Sequence, residues 1–353
     1  MKLSPRLILP FLIMSLLVGI LGGWIRMGWG IEFSQSAGHH GIIMTSCFLG
    51  GLITLERTIT MKPRWWLVFP ASLGTSIVFF LSDILPVAYS LIVFGSVGLV
   101  ALYIRQMLIH KEHYWYLLLA GSLFWLIGNL KLVQSGFVPA SSGWWIGFVL
   151  FTILGERLEL SRFVPVPKWA KSVLWLLLLL LAASFFIPFH GSGMLLSGSA
   201  ISLITLWFLQ FDIARKSVKK TGLFRYTGLS MIVGYGWLVS HALLVLASVG
   251  HPLFYDLYLH TFFLGFTFSM IWAHAPIILP AVLKQKVKIY YPVLWVFWLL
   301  FQLSLIGRVI ATYTVDFSLR KFFGLANGLS MVLMLVAIVI VLLLRLRQQK
   351  RAA

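Results

Sequence analysis

Charge is scarce in this chain, and negative charge is scarcest: 28 Lys and Arg stand against nine Asp and Glu, together only 10% of the 353 residues. With 60% of residues hydrophobic and a mean hydropathy of +0.97, there is too little polar surface to cover a water-soluble globule, so the chain reads as an integral membrane protein. Cysteine is nearly absent. The one thiol, Cys47, lies inside an apolar run, which excludes an internal disulfide, a Cys-based zinc site and a c-type haem attachment motif. Any cofactor must be held by His, Met or backbone groups. No Walker-type phosphate loop, dinucleotide fingerprint, HExxH or plausibly spaced Ser-His-Asp set occurs, so soluble-type hydrolase and kinase chemistry is not expected. Linkers and low-complexity segments are missing too, and connections of at most about fifteen residues leave no room for a separate folded part. The chain reads as one integral membrane domain over residues 1–353.

What is present is a series of apolar runs near bilayer length. Twelve are counted: 7–28, 39–55, 65–82, 85–104, 114–133, 143–156, 172–188, 194–211, 226–249, 257–282, 289–311 and 322–344. The predicted fold is an all-α, polytopic membrane helix bundle. The net charge of +19 does not point to nucleic acid, because the Lys and Arg residues sit between apolar runs and not on one soluble face. Their distribution is topological: 23 of the 28 fall on one side of the twelve-span layout, leaving only Arg26, Lys131, Arg308, Arg320 and Lys321 elsewhere. By the positive-inside rule both termini are cytoplasmic. The opening Met1-Lys2-Leu3-Ser4-Pro5-Arg6 precedes a run with no small-x-small cleavage site, and it is read as the start of span 1.

Internal similarity is visible. Leu49-Gly50-Gly51-Leu52-Ile53-Thr54-Leu55-Glu56-Arg57 in span 2 resembles Phe151-Thr152-Ile153-Leu154-Gly155-Glu156-Arg157 in span 6, and span 10, with His260 and Leu264-Gly265-Phe266, follows at a similar interval. Three blocks of four helices would explain this, with chance similarity among Leu/Gly-rich helices as the rival.

Five of nine histidines, His39, His40, His241, His260 and His274, belong to apolar segments, while His110, His113, His190 and His251 read as interfacial. Counting about 1.5 Å per residue from Arg57 and Arg225 puts His40 and His241 roughly 25 Å from the inner boundary, and His260 lies farther out. Three imidazoles on three spans are therefore expected in the outer half, where they can ligate haem iron, copper or zinc: candidate metal ligands are His40, His241 and His260. The alternative is that each merely bonds a neighbouring helix. His39 is read as capping the helix or facing the interface. His274 follows His260 by 14 residues; at about 100° per residue both face one way, some 21 Å apart, the spacing of two stacked haems on one helix. A second haem is not expected, because the inner half offers only His113 as a partner.

Glu56-Arg57 and Glu156-Arg157 end spans 2 and 6, and neighbours in sequence point apart on a helix, so each Glu must find its partner elsewhere. A proton entry, an inter-helix ion-pair lock or interfacial snorkelling all fit. Glu159 reaches Arg162 one turn on. Lys131 and Arg308 lie toward the outer side, against the topology rule, and either hold an anion such as a haem propionate or reach the interface. Trp65-Trp66 and Trp144-Trp145 suit an aromatic belt. Gly50-Gly51 and Gly234-x-Gly236 allow close helix packing or border a cofactor plane.

His40-Gly41-x-x-Met44 resembles the His-Gly-x-x-Met segment of helix 2 in haem–copper oxidase catalytic subunits, and in size and character the chain is similar to the NnrS family of twelve-span, haem- and copper-associated membrane proteins linked to nitric oxide metabolism. The likeness is carried by His40 to Arg57, Gly155 to Arg162 and Leu259 to Leu283. It implies three four-helix arcs, a b-type haem or a copper ion, His40 as an axial haem ligand with His260 opposite, and Met44 and His274 as further cofactor-binding candidates. Departures matter: span 6 has no histidine, span 7 only His190, and the His-x-His of the oxidases' helix 10 is missing. Oxygen reduction and proton pumping are therefore not expected. The resemblance implies a bacterial inner-membrane protein in redox or nitric oxide physiology, with the lipid bilayer and a membrane redox partner as its company. The rivals are a proton-coupled transporter or permease using the histidines with Glu56 or Glu156, and an assembly or scaffolding subunit.

Overall fold

The computed structural model describes residues 3–161, 164–285, 287 and 289–352, and among these every regular element is a helix. The all-α expectation holds. Among the described residues ten helices are long and apolar enough to cross a bilayer, which makes this a multi-pass membrane protein. The two other expected spans are helical as well: one is the 17-residue helix Lys168–Ser184, and the second span runs from His40 to Thr58 in three pieces. Lys2, Lys286, Lys288 and Arg162, the expected partner of Glu159, lie outside the described residues, as do the side chains of Lys350 and Arg351.

The chain packs as two compact units, Met1–Glu156 with Ala281–Gln285, and Arg157–Pro280 with Lys286–Ala353. The first holds α1 (Pro5–Arg26), α2 (Ser34–Gly38), α3 (His40–Ile42), a π-helical stretch (Ile43–Gly50), α4 (Gly51–Thr58), α5 (Val68–Leu81), α6 (Leu85–Ile109), α7 (Tyr114–Ser135) and most of α8 (Val138–Ser161). Ser4 caps α1, its hydroxyl accepting from the Arg6 N–H at 3.2 Å, with Pro5 as the first helical residue. Gly136, at φ 62°, ends α7 in the left-handed conformation that glycine adopts without strain.

Lipid is as apolar as these side chains, so the helices of the first unit need more than hydrophobicity to find one another. Two devices supply it. Glycines let backbones approach: Gly50 lies under the ring of Trp125, Gly51 against Leu12, and Gly121 against the Phe148 carbonyl. Polar pairs then fix register. Ser46 donates to Asn129 Oδ1 at 3.1 Å and accepts from Trp125 Nε1 at 3.3 Å, while Trp145 Nε1 donates to the same Asn129 oxygen at 3.0 Å. Trp145 is thus a core residue at 1% exposure and not part of an aromatic belt, whereas Trp65, 53% exposed, fits the belt.

The second unit holds the rest of α8, α9 (Lys168–Ser184), a short π-helical stretch (Phe189–Gly193), α10 (Met194–Phe211), α11 (Ala214–Val218), α12 (Gly222–Ala247), α13 (Phe254–His260), a long π-helical stretch (Thr261–Phe268), α14 (Ser269–Val282) up to Pro280, α15 (Val293–Tyr313) and α16 (Phe317–Ala352). Its core repeats the same chemistry. Trp237 Nε1 donates to Gln302 at 2.8 Å, Gln302 Nε2 donates to Ser269 at 2.9 Å, and Gly265 makes room for the Trp237 ring. Gly234 meets Met270, Ser269 and the Phe266 carbonyl, as its place in Gly234-x-Gly236 led us to expect, while Gly236 has nothing within 4 Å.

The two eight-residue π-helical stretches are unusual, because such windings are rare and gather at functional positions. They start three residues after His40 and directly after His260.

Replacing Gly50 by Ala drives a methyl into the buried Trp125 ring and should cost about 1–3 kcal/mol, whereas Gly236→Ala should be neutral or slightly stabilising. Thermal melts of both variants in detergent measure the difference; equal melting temperatures would contradict the packing account.

Candidate functional site

In the first unit, His40 and Met44 lie one helical turn apart and face the glycine side of α1. A Cβ on Gly23 would sit 3.1 Å from His40 Cε1, and one on Gly19 would run into the Met44 thioether. The absence of a side chain on α1 there leaves room for the imidazole, which a Cβ on Gly23 would crowd. His40 Nδ1 lies 2.6 Å from the Gly19 carbonyl oxygen, an atom that can only accept, so Nδ1 carries the proton and Nε2 the lone pair. His39 points elsewhere: its ring tilts on Phe80 at 5.3 Å and its Nε2 is 3.8 Å from Asp83.

The second unit contains a constellation that the sequence reading missed. Asp256, in the first turn of α13, accepts from Arg308 Nη2 at 3.4 Å, Arg320 Nε at 3.3 Å and Thr312 at 3.4 Å, and its Oδ1 lies 2.9 Å from His260 Nδ1 as an ion pair. The same His260 nitrogen lies 2.8 Å from the Asp256 carbonyl oxygen, which again leaves Nε2 as the basic atom. Two of the cations found on the charge-poor side thus share one carboxylate, and the cluster keeps an excess of positive charge. Arg308 is only 8% exposed, and its Nε is buried without a hydrogen-bond partner among the described residues. A signal was available: Asp256 is one of nine acids in a chain of net charge +19 and precedes His260 by four residues, one helical turn.

His241, 1% exposed, sits between the rings of Tyr258 and Phe262. Thr261 gives its proton to the Leu257 carbonyl at 2.7 Å, so its oxygen accepts from His241 Nδ1 at 3.2 Å. His274 is engaged at both nitrogens, Nδ1 donating to the Met270 carbonyl at 2.8 Å and Nε2 accepting from Arg157 Nη2 at 3.2 Å. It could ligate a metal only by giving up Arg157. Lys131 lies over the Trp144 ring, 5.7 Å from its centroid.

The Glu-Arg pairs resolve into two arrangements. Arg57 Nη2 donates to Glu156, tying α4 to α8 within the first unit as an inter-helix ion pair, with the fully buried Tyr103 beside it. Arg157, in the second unit, finds His274 and the Met231 sulfur, 3.3 Å away. Asp212, just past the end of α10, is buried, which pushes its carboxyl above the usual carboxylate range; the Arg157 charge and the Ala214 N–H, 2.7 Å from Oδ1, act the other way.

Among the described residues, no three His, Cys, Asp or Glu side chains are gathered closely enough to hold a metal ion. His40 belongs to the first unit, His241 and His260 to the second.

The sequence profile of a family described as a domain of unknown function (DUF8744) matches residues 6–343. No curated protein and no solved structure matches the chain.

Asp256→Asn leaves two guanidinium groups without their carboxylate and should destabilise the protein by about 3 kcal/mol. Adding Arg308→Gln to it should recover part of that loss, because the pair is coupled. A double-variant cycle of detergent melts gives the numbers, and strictly additive losses would refute the coupling.

Proposed function

We propose that this chain, which belongs to the DUF8744 family over residues 6–343, is a bacterial inner-membrane protein that binds a b-type haem or a copper ion through anchored imidazoles. Its role on this reading is redox or nitric oxide related, in the manner of NnrS-type and haem–copper oxidase-like proteins. The observation that carries the reading is the backing of His260. Its Nδ1–H is held by the Asp256 carbonyl, the Asp256 carboxylate lies 2.9 Å from the same nitrogen, and that carboxylate is itself held by Arg308, Arg320 and Thr312. A carboxylate behind an imidazole sets the tautomer, orients the ring and raises the basicity of the ligating nitrogen.

Haem suits these residues better than a caged ion. A porphyrin supplies four of the iron's ligands, so a single anchored imidazole is enough, whereas a protein cage needs several donors together. Arg308 Nε–H is a buried donor awaiting an acceptor, and a propionate carboxylate would provide one. When bound, such a group supplies one-electron chemistry and a site for diatomic gases. His40 is the corresponding ligand candidate in the first unit, its Nδ1–H held by the Gly19 carbonyl, with Met44 one turn away on the same glycine face.

Oxidised and dithionite-reduced spectra of the detergent-purified protein, with metal analysis of the same sample, test the reading. A reduced b-type band is expected, and His260→Ala or His40→Ala should abolish it, the variant that does so naming the ligand. A folded, colourless and metal-free protein overturns the proposal, as does a chromophore that survives replacement of His40, His241 and His260 together.

The distribution of 23 basic residues on one side supports cytoplasmic termini. Cys47, at 0% exposure, gives little background for thiol labelling. A membrane-impermeant maleimide added to intact spheroplasts should label Gly250→Cys and spare Lys219→Cys, and the reverse pattern would invert the topology.

A second reading, proton-coupled transport, draws on the Arg57–Glu156 pair with Tyr103 beside it. Metal-free protein in liposomes would then carry a pH-dependent flux, which a haem protein would not.

A further inference from the structure

At one end of the first unit, a cavity of about 190 Å³ opens between the start of α1, the turn at Arg64 and the turn that follows α14. Among the described residues that line it, Arg6, Arg64 and Lys284 are cationic and none is acidic. They come from three separate stretches of chain and carry three positive charges into one space. Exposed cations on long side chains ordinarily turn apart into water, since gathering them costs repulsion and side-chain freedom. Here they are partly held. Arg6 Nη2 lies 3.5 Å from the Leu283 carbonyl oxygen, and Lys284 is set by a left-handed backbone, φ 54°.

The remaining lining is of two kinds. Ser4 and Pro5 form the cap and first residue of the 22-residue α1, so the positive end of that helix dipole borders the cavity. Val282 and Leu283 contribute an apolar wall. Next to Arg64, Trp65 is 53% exposed and stacks on Trp66 with ring centroids 4.4 Å apart, the placement of an indole at a membrane–water interface. A phosphate alone would satisfy the charges. The apolar wall and the interfacial indole fit a phosphate that carries acyl chains.

We propose that this cavity binds the phosphate of an anionic phospholipid headgroup, with Arg6, Arg64 and Lys284 as its ligands and Val282 and Leu283 against the glycerol end. Each cation near a membrane surface contributes about 1 kcal/mol toward an anionic lipid, so removing all three should weaken binding roughly hundredfold. The proposal is independent of the haem reading, since it uses none of the same residues.

Native mass spectrometry of the full chain in detergent, titrated with phosphatidylglycerol, phosphatidylcholine or inorganic phosphate, tests it. Wild type should retain phosphatidylglycerol preferentially and the triple variant Arg6→Gln/Arg64→Gln/Lys284→Gln should not. The control Arg215→Gln/Lys219→Gln/Lys220→Gln, which removes three cations from the second unit, should bind as wild type does. Equal loss in the control would mean diffuse surface charge and overturn the proposal. Equal retention of phosphatidylcholine, or displacement of the lipid by millimolar inorganic phosphate, would overturn it as well. Should the triple variant fail to fold, Arg64→Gln and Lys284→Gln, both at exposed positions, are each expected to weaken retention severalfold, and unchanged retention in both would refute the site.

Discussion

In hydrocarbon no water replaces a lost hydrogen bond, so the charged and polar groups this chain carries into its helices are stabilised chiefly by other groups of the protein. Asp256 is the clearest case. A lone buried charge is costly, and Asp256 and Arg308 are kept together with His260, Arg320 and Thr312 around one carboxylate. The same requirement explains the Ser46, Trp125, Asn129 and Trp145 network, where one amide oxygen serves two donors. It also explains the pairing of Arg57 with Glu156.

Close approach of backbones is the second constraint, and it follows from the first. Polar side chains such as Ser46 are short and reach a partner only if the helices come near each other. Glycine makes that possible at Gly50, Gly121 and Gly265, each of which faces a ring or a carbonyl where a methyl would collide. At Gly19 and Gly23 the same freedom admits Met44 and His40. Histidine placement here is thus a packing outcome as much as a chemical one. The π-helical windings after His40 and His260 change the angular spacing of the residues that follow, so each imidazole is presented differently from those one turn below it.

Much of the fold was legible in the sequence. Apolar runs of bilayer length mark helices without reference to anything else, and all twelve expected segments are helical, with boundaries shifted by a few residues, as from 39–55 to His40–Thr58. The expectation that the Glu of a Glu-Arg pair finds its partner elsewhere fits Glu156, which meets Arg57 across 99 residues. The aromatic belt was overdrawn, because indole is equally suited to an interface and to a buried hydrogen bond, and only its neighbours distinguish Trp65 from Trp145. His274 looked like a mate for His260 by spacing, yet its lone pair goes to Arg157.

By itself, the sequence determined the membrane class, the helical segments and the asymmetry of positive charge, since transfer into hydrocarbon and charge sorting depend on local composition. Tertiary structure alone decided which side chains meet. Arg308 and Arg320 stand 52 and 64 residues from Asp256. Helices that are apolar nearly all round carry no moment to fix their rotation, so periodicity cannot say which face of one will turn toward a given residue of another. Packing supplies that rotation, and with it the tautomer and orientation of every buried imidazole.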